Sequence, residues 1–125
     1  MYYVYMVRCA DGSHYTGLAK YVCRRMREHF EKTAACARYT RTHPVVALDV
    51  LFQTPTRKEA ASLEAVVKLL PKKKKLELIA APENLFAICG EKLASRNYFP
   101  VTGISLEMCL SGEAERIFSQ MRNVD

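Results

Sequence analysis

The sequence predicts an α+β fold: a small mixed β-sheet, made of a β-hairpin plus a central strand, flanked by helices and followed by a C-terminal extension. Three observations predict it. Residues 2–8 alternate along a tyrosine, valine and methionine run that ends just before Asp11-Gly12. Residues 45–54, VVALDVLFQT, are nearly continuously apolar and rich in β-branched side chains. The stretches 21–32 and 56–70 repeat apolar residues at helical spacing. A period of two marks strands and a period of 3.6 marks helices.

Taken in order, residues 2–8 form the first strand. Ala10–Ser13, centred on Asp11-Gly12, reads as a type I′ hairpin turn. The second strand covers about 14–18. Residues 21–32 form a helix whose apolar stripe is Val22, Met26 and Phe30. A basic loop, TAACARYTRTHP, follows and Pro44 stops any helix there. Residues 45–54 then read as a central strand buried on both faces. Thr56 and Glu59 make a capping box for a helix with Leu63, Val66, Val67 and Leu70 on its core face. Pro71 suits the first turn of the next helix, PKKKKLELIA. Beyond residue 81 the composition changes. Residues 83–96 read as helical despite Gly90, 98–109 as mixed strand and loop, and Ser111 as the cap of a last helix. The division expected is 1–80 as the main domain and 81–125 as an extension, because 45 residues are few for an independent core.

With 125 residues, 50% hydrophobic and 26% charged, the composition is that of an ordinary globular domain. No apolar stretch is long enough to cross a bilayer. The N-terminus lacks the basic-then-apolar pattern of a signal peptide, so a cytoplasmic location is expected. Five cysteines, odd in number and widely spaced, match neither a zinc cluster nor a disulfide framework, and reduced buried thiols are expected. The net charge of +6 is uneven: residues 1–80 carry 15 Lys+Arg against 7 Asp+Glu, and residues 81–125 carry 4 against 6. A front segment this basic favours a polyanionic partner.

Several polar residues do not fit simple packing. Tyr5 and Tyr15 fall on neighbouring strands of the hairpin, where their phenols can converge on one face. Arg25 and His29, spaced i, i+4, share one side of the first helix. Glu64 and Lys68 are likewise i, i+4 on the helix after the long strand. Singly, each has an ordinary reading: a packed strand tyrosine, a solvated helix face, a surface ion pair worth about 0.2–0.5 kcal/mol.

In this order, however, the set resembles the GIY-YIG nuclease family. The first half-motif corresponds to Tyr3-Val4-Tyr5 and the second to Tyr15-Thr16-Gly17. The family's helix arginine falls on Arg25, its frequent histidine on His29 and its metal-binding glutamate on Glu64. The resemblance covers about residues 2–80 and is closest to small, stand-alone bacterial members, through ADGSHYTG, RRMREH and ARYTR. Tyr3, Val4 and Thr16 depart from the name motif at positions that shape the strands. His14 and the Ala34-Ala35-Cys36 loop also depart from the usual pattern.

The resemblance implies a metal-dependent endonuclease hydrolysing DNA phosphodiester bonds, in a setting of DNA repair or recombination. It also implies one Mg²⁺ or Mn²⁺ ion on Glu64, with DNA as partner and RNA left open. The residue types suit the chemistry. A lone carboxylate completed by water and phosphate oxygens is a usual Mg²⁺ arrangement, and an arginine fork suits phosphate oxygens. Tyr5 or Tyr15 is the candidate base. Because a phenol normally titrates near 10, a nearby cation is expected to lower its pKa, with His29 assisting proton transfer. Lys20, Arg38, Arg41, Lys68 and the run Lys72, Lys73, Lys74, Lys75 are the candidate backbone contacts, with Tyr39 as a stacking partner for a base. Two other readings stay open: a non-catalytic nucleic-acid-binding module on the same fold, and a protein-interaction role for residues 81–125.

Overall fold

A computed structural model describes residues 1–124 of the chain, with side chains through Met121, so Asp125 of the expected 81–125 extension lies outside the described residues. The order of elements is β1 (Tyr2–Cys9), β2 (His14–Ala19), α1 (Val22–Glu31), α2 (Arg38–Thr42), β3 (Val45–Thr54), α3 (Arg57–Lys68), α4 (Lys72–Ala80), α5 (Leu85–Cys89), β4 (Phe99–Pro100), α6 (Leu106–Ser111) and α7 (Glu113–Val124). One four-stranded sheet has the order β2-β1-β3-β4. Each pairing is antiparallel, so the mixed sheet of the sequence reading resolves to an antiparallel one.

β1 therefore sits inside the sheet and β2 forms an edge. Its alternation divides the core in two. Tyr3, Tyr5 and Val7 pack with Val22, Met26, Cys109 and Phe118 from α1, α6 and α7. Val4 and Met6 pack with Leu63, Val67, Leu78 and Leu85 from α3, α4 and α5. Residues after 81 contribute to both cores, and β4 extends the sheet through Phe52↔Pro100 and Gln53↔Phe99. The five cysteines are free and buried.

Several local expectations are corrected. The hairpin does not close as a type I′ turn: Gly12 has φ +85°, but Asp11 is not in the left-handed region. Gly12 N–H donates to the Cys9 carbonyl and Cys9 N–H to the Ser13 carbonyl, the arrangement of a type I turn with a left-handed glycine after it. Asp11 Oδ1 accepts from Ser13 N–H at 3.0 Å, which holds that geometry. In α1 the buried residues are Val22, Cys23, Met26 and His29, whereas Phe30 is half exposed. The basic loop contains the short helix α2. β3 is not buried along its whole length: Val46 is exposed and Ala47, Leu48 and Asp49 are only partly buried, and Asp49 has no partner in β1, forming a bulge between the Met6↔Val50 and Val7↔Leu48 pairs. The helix expected over 83–96 is broken into 3₁₀ turns at Pro82–Asn84 and Gly90–Lys92 around α5, where proline and glycine weaken helix continuity.

The α3 cap forms as the sequence indicates, with Thr56 Oγ1 accepting from Glu59 N–H at 3.2 Å. Ser111 Oγ likewise accepts from Glu113 N–H at 3.3 Å at the start of α7.

Candidate active site

The site begins in the hairpin register. Tyr5 lies opposite Gly17 and Val7 opposite Tyr15, so both tyrosines face α1. The Tyr5 ring crosses the Gly17 backbone closely: a Cβ at residue 17 would lie 2.3 Å from Tyr5 Oη and 2.4 Å from Cζ. Glycine is needed here for space, since this residue's φ is not left-handed. The Tyr5 and Tyr15 ring centroids are 6.4 Å apart.

Met26 and His29 share the inner face of α1, and His29 is completely buried. Its two ring nitrogens are both partnered: Nε2 lies 2.6 Å from Tyr5 Oη and Nδ1 lies 2.7 Å from Thr40 Oγ1 on α2. Thr40 Oγ1 in turn donates to the Ala37 carbonyl at 3.2 Å. Burial pushes His29 down to about 4, with Arg25 adding to the effect and Glu28 opposing it. Imidazole is therefore neutral at pH 7. Burial raises the Tyr5 hydroxyl well above the usual phenol range, and the adjacent Arg25 guanidinium offsets this only in part. Arg25 thus lowers the phenol's pKa, as expected of a nearby cation, but desolvation outweighs its charge.

Arg25, a turn before His29, donates from Nη1 to Glu28 Oε1 at 3.0 Å and to the Ala35 carbonyl at 2.6 Å. These bonds tie α1 to the loop that leads into α2. Arg41 Nη2 donates to the neighbouring Ala34 carbonyl at 3.3 Å. On α3, Glu64 and Lys68 form an ion pair at 3.8 Å, and Lys68 Nζ lies 5.8 Å from the Tyr15 ring centroid. Glu64 is close enough for its charge to raise the Tyr5 pKa. Thus Tyr5, Tyr15, Arg25, His29, Glu64 and Lys68 converge at the β2 edge of the sheet.

No group of three or more His, Cys, Asp or Glu side chains suited to a metal occurs among the described residues. Glu64 is a single, partly exposed carboxylate. That donor set does not fit a protein-caged zinc ion. It does fit Mg²⁺, which keeps several waters and takes one or two carboxylates plus substrate phosphates.

The remaining candidates divide by position. Tyr39 stacks on Tyr15 with centroids 6.0 Å apart and on His43 at 3.8 Å, so an aromatic row runs from the site along α2. Arg38 and Arg41 are exposed on the same short helix. Lys20 follows the far end of β2 and lies between the Tyr2 and Tyr21 rings, 5.8 and 5.9 Å from their centroids. Lys72 and Lys73 open α4, whose Leu78 belongs to the opposite core. These three lysines are not brought to Tyr5 and Tyr15. Sequence reading missed Thr40, Glu28 and His43. The i, i+4 spacing of Tyr39 and His43 was a legible signal, but Thr40 carries no periodic one. His14, also unassigned from sequence, pairs with Asp49 at 2.9 Å beside Arg8.

This antiparallel sheet with paired tyrosines, a helix arginine and histidine, and a glutamate on the next long helix is a nuclease-type fold. The family model of the GIY-YIG catalytic domain matches residues 1–77, and the chain belongs to the GIY-YIG family. The family's substrate class is nucleic acid. A UPF0213 protein of Fusobacterium nucleatum is 45% identical over 83 residues, covering 66% of this chain and 81% of the relative. A UPF0213 protein of Desulfotalea psychrophila is 38% identical over 86 residues, 69% of this chain and 77% of that one. The solution NMR structure of a UPF0213 protein from Bacillus halodurans is 34% identical, with a TM-score of 0.44, covering 76% of this chain and 99% of its own. No helix among the described residues is long and apolar enough to cross a membrane.

Proposed function

We propose that this protein is a metal-dependent endonuclease that hydrolyses DNA phosphodiester bonds. The observation that carries the reading is the buried contact of Tyr5 with neutral His29, 2.6 Å apart, beside Arg25. A phenol alone is a poor base at neutral pH, but a phenol backed by a neutral imidazole can accept a proton as it gives one up. In the proposed step, the attacking water passes a proton to Tyr5 Oη while the Tyr5 proton moves to His29 Nε2. The water oxygen bonds to phosphorus, the bond to the leaving oxygen breaks, and that oxygen takes a proton from solvent. General-base help of this kind is worth about 10²–10⁴ in rate.

Arg25 binds phosphate oxygens through donors other than the occupied Nη1, and Tyr15 donates a hydrogen bond to the same phosphate. Glu64 would hold a Mg²⁺ or Mn²⁺ ion, which when bound neutralises charge at the phosphate. Lys68, Arg38 and Arg41 bind the flanking backbone, and the Tyr15–Tyr39 row accepts an unstacked base. Lys72 and Lys73 bind phosphates of the same DNA away from Tyr5 and Tyr15. α4 has no acid in its first turn and opens on a lysine run, the wrong end of a helix for cations by about 0.3–1 kcal/mol each. Helix stability does not account for those lysines, whereas phosphate binding does.

The test is cleavage of single-stranded, duplex, flapped and branched DNA by the purified protein with Mg²⁺ or Mn²⁺. Cleavage is expected, with loss on chelation and in Glu64→Ala and Arg25→Ala. Binding without cleavage of any substrate overturns the proposal in favour of a binding module, and cleavage undiminished in both variants overturns the roles given to Glu64 and Arg25.

A further inference from the structure

We propose that Thr40 is a positioning residue that fixes the tautomer of His29, so that Nε2 stands as the proton acceptor for Tyr5. The purpose of this arrangement rests on the nuclease reading; the arrangement itself does not.

The case is a count of donors and acceptors. Tyr5 Oη, both His29 nitrogens and Thr40 Oγ1 form one buried chain ending on the Ala37 carbonyl. Arg25, the cation nearest the phenol, has only donors and cannot take the Tyr5 proton. The partner left for that proton is His29 Nε2, which must then be unprotonated. In neutral imidazole the hydrogen therefore resides on Nδ1. Nδ1–H donates to Thr40 Oγ1, and the threonine hydroxyl donates onward to the carbonyl of Ala37. Every donor finds an acceptor.

The opposite tautomer breaks the count. With hydrogen on Nε2, Tyr5 would accept from His29, and its own hydroxyl proton would lose its imidazole acceptor. Thr40 would have to turn its hydrogen to Nδ1 and abandon Ala37. A flipped ring fares no better, since it would set carbon atoms against both Tyr5 and Thr40. Because Thr40 is itself fully buried, water does not replace it. α2 thus has a second use beyond presenting Arg38, Tyr39 and Arg41: it supplies the acceptor that orients the imidazole from behind.

The isosteric variant Thr40→Val removes the acceptor, and Thr40→Ser restores it. Nitrogen-15 NMR of the imidazole ring reads the tautomer directly in the free protein. The wild type and Thr40→Ser are expected to show the Nδ1–H form, and Thr40→Val a shift towards Nε2–H. Cleavage is expected to fall about 10²-fold in Thr40→Val, the low end of general-base assistance, with DNA affinity retained and Thr40→Ser close to wild type. An Nε2–H tautomer in the wild type overturns the proposal, and that measurement does not depend on whether the valine variant folds. So does an unchanged tautomer in Thr40→Val, or a serine variant as impaired as the valine. A wild type that shows Nδ1–H but cleaves no DNA supports the positioning and overturns the nuclease reading instead.

Discussion

The phenol of Tyr5 occupies the space that a side chain at Gly17 would need. A Cβ there would stand 2.3 Å from Tyr5 Oη, and Tyr5 is held on its other side by His29. Gly17→Ala is therefore expected to displace the phenol from the imidazole. Overpacking of this kind costs about 1–3 kcal/mol, measurable as a lower midpoint in denaturant unfolding. A variant with unchanged stability and an intact Tyr5–His29 contact by NMR would show that the sheet yields there.

That contact also shows where sequence reading reaches its limit. β3 and the Thr56 cap were legible because a β-branched run and a Thr-x-x-Glu spacing each have one strong local solution. The convergence of Tyr5, Arg25, His29 and Glu64 was legible only as a pattern in register. The burial of His29 over Phe30 was not. Both positions adjoin the Val22–Met26 stripe, and periodicity favours the apolar one. Two hydrogen bonds, to Tyr5 and Thr40, offset the desolvation of the imidazole, and both partners come from elements remote in sequence. The turn type was missed for a local reason: the Asp11 side chain bonds Ser13 and keeps its own backbone out of the left-handed region.

The two neighbours on α1 should respond oppositely to truncation. Met26 is fully buried and Phe30 half exposed. Met26→Ala is expected to cost about 2–5 kcal/mol, whereas Phe30→Gln should stay within about 0.5 kcal/mol of wild type. Chemical denaturation of the two variants measures both. Equal losses would mean that Phe30 is covered in solution.

Stability should also carry the signature of a histidine buried in its neutral form. The folded-state pKa of His29 is depressed to about 4 from an ordinary value of 6.5. Above pH 6.5 both states hold neutral imidazole, and the full stability is present. As pH falls below 6.5 the unfolded chain binds a proton that the folded protein refuses, so stability drops until the folded histidine also protonates near 4. The loss is on the order of 3 kcal/mol at about 1.4 kcal/mol per pKa unit. Unfolding free energies measured from pH 8 to pH 4 should fall over that window, and His29→Gln should remove this component. A wild type and variant with parallel pH profiles would place the histidine proton elsewhere.

Lys72 and Lys73 give a charge-counting test. If both neutralise phosphates, Lys72→Gln combined with Lys73→Gln lowers the slope of log affinity against log salt by about 1.8 on duplex DNA, at 0.9 per contact. The weakening should be the same for unrelated sequences, as expected for backbone contacts. An unchanged slope in a salt titration would assign these residues to a solvated helix face.

The last prediction concerns residues 81–125. Leu106, Cys109, Ala114 and Phe118 complete one core, and Leu85, Cys89 and Tyr98 complete the other. Phe118 packs edge-on against Tyr3 at 5.4 Å, and Tyr98 Oη donates to the Glu59 carbonyl at 2.8 Å at the start of α3. Ser95 Oγ also bonds the Glu59 carboxylate. Each large side chain removed forfeits about 1.5–3 kcal/mol of burial, against a total stability of about 5–15 kcal/mol for an ordinary domain. A chain ending at residue 80 would leave Tyr3 and Val7 on one face and Phe52 and Leu63 on the other without their covers. It is expected to lose cooperative unfolding and near-ultraviolet circular dichroism, and to bind a hydrophobic dye. Cooperative unfolding of that shortened chain, at a midpoint near that of the full protein, would instead make the extension a separable arm with a role in contacting partners.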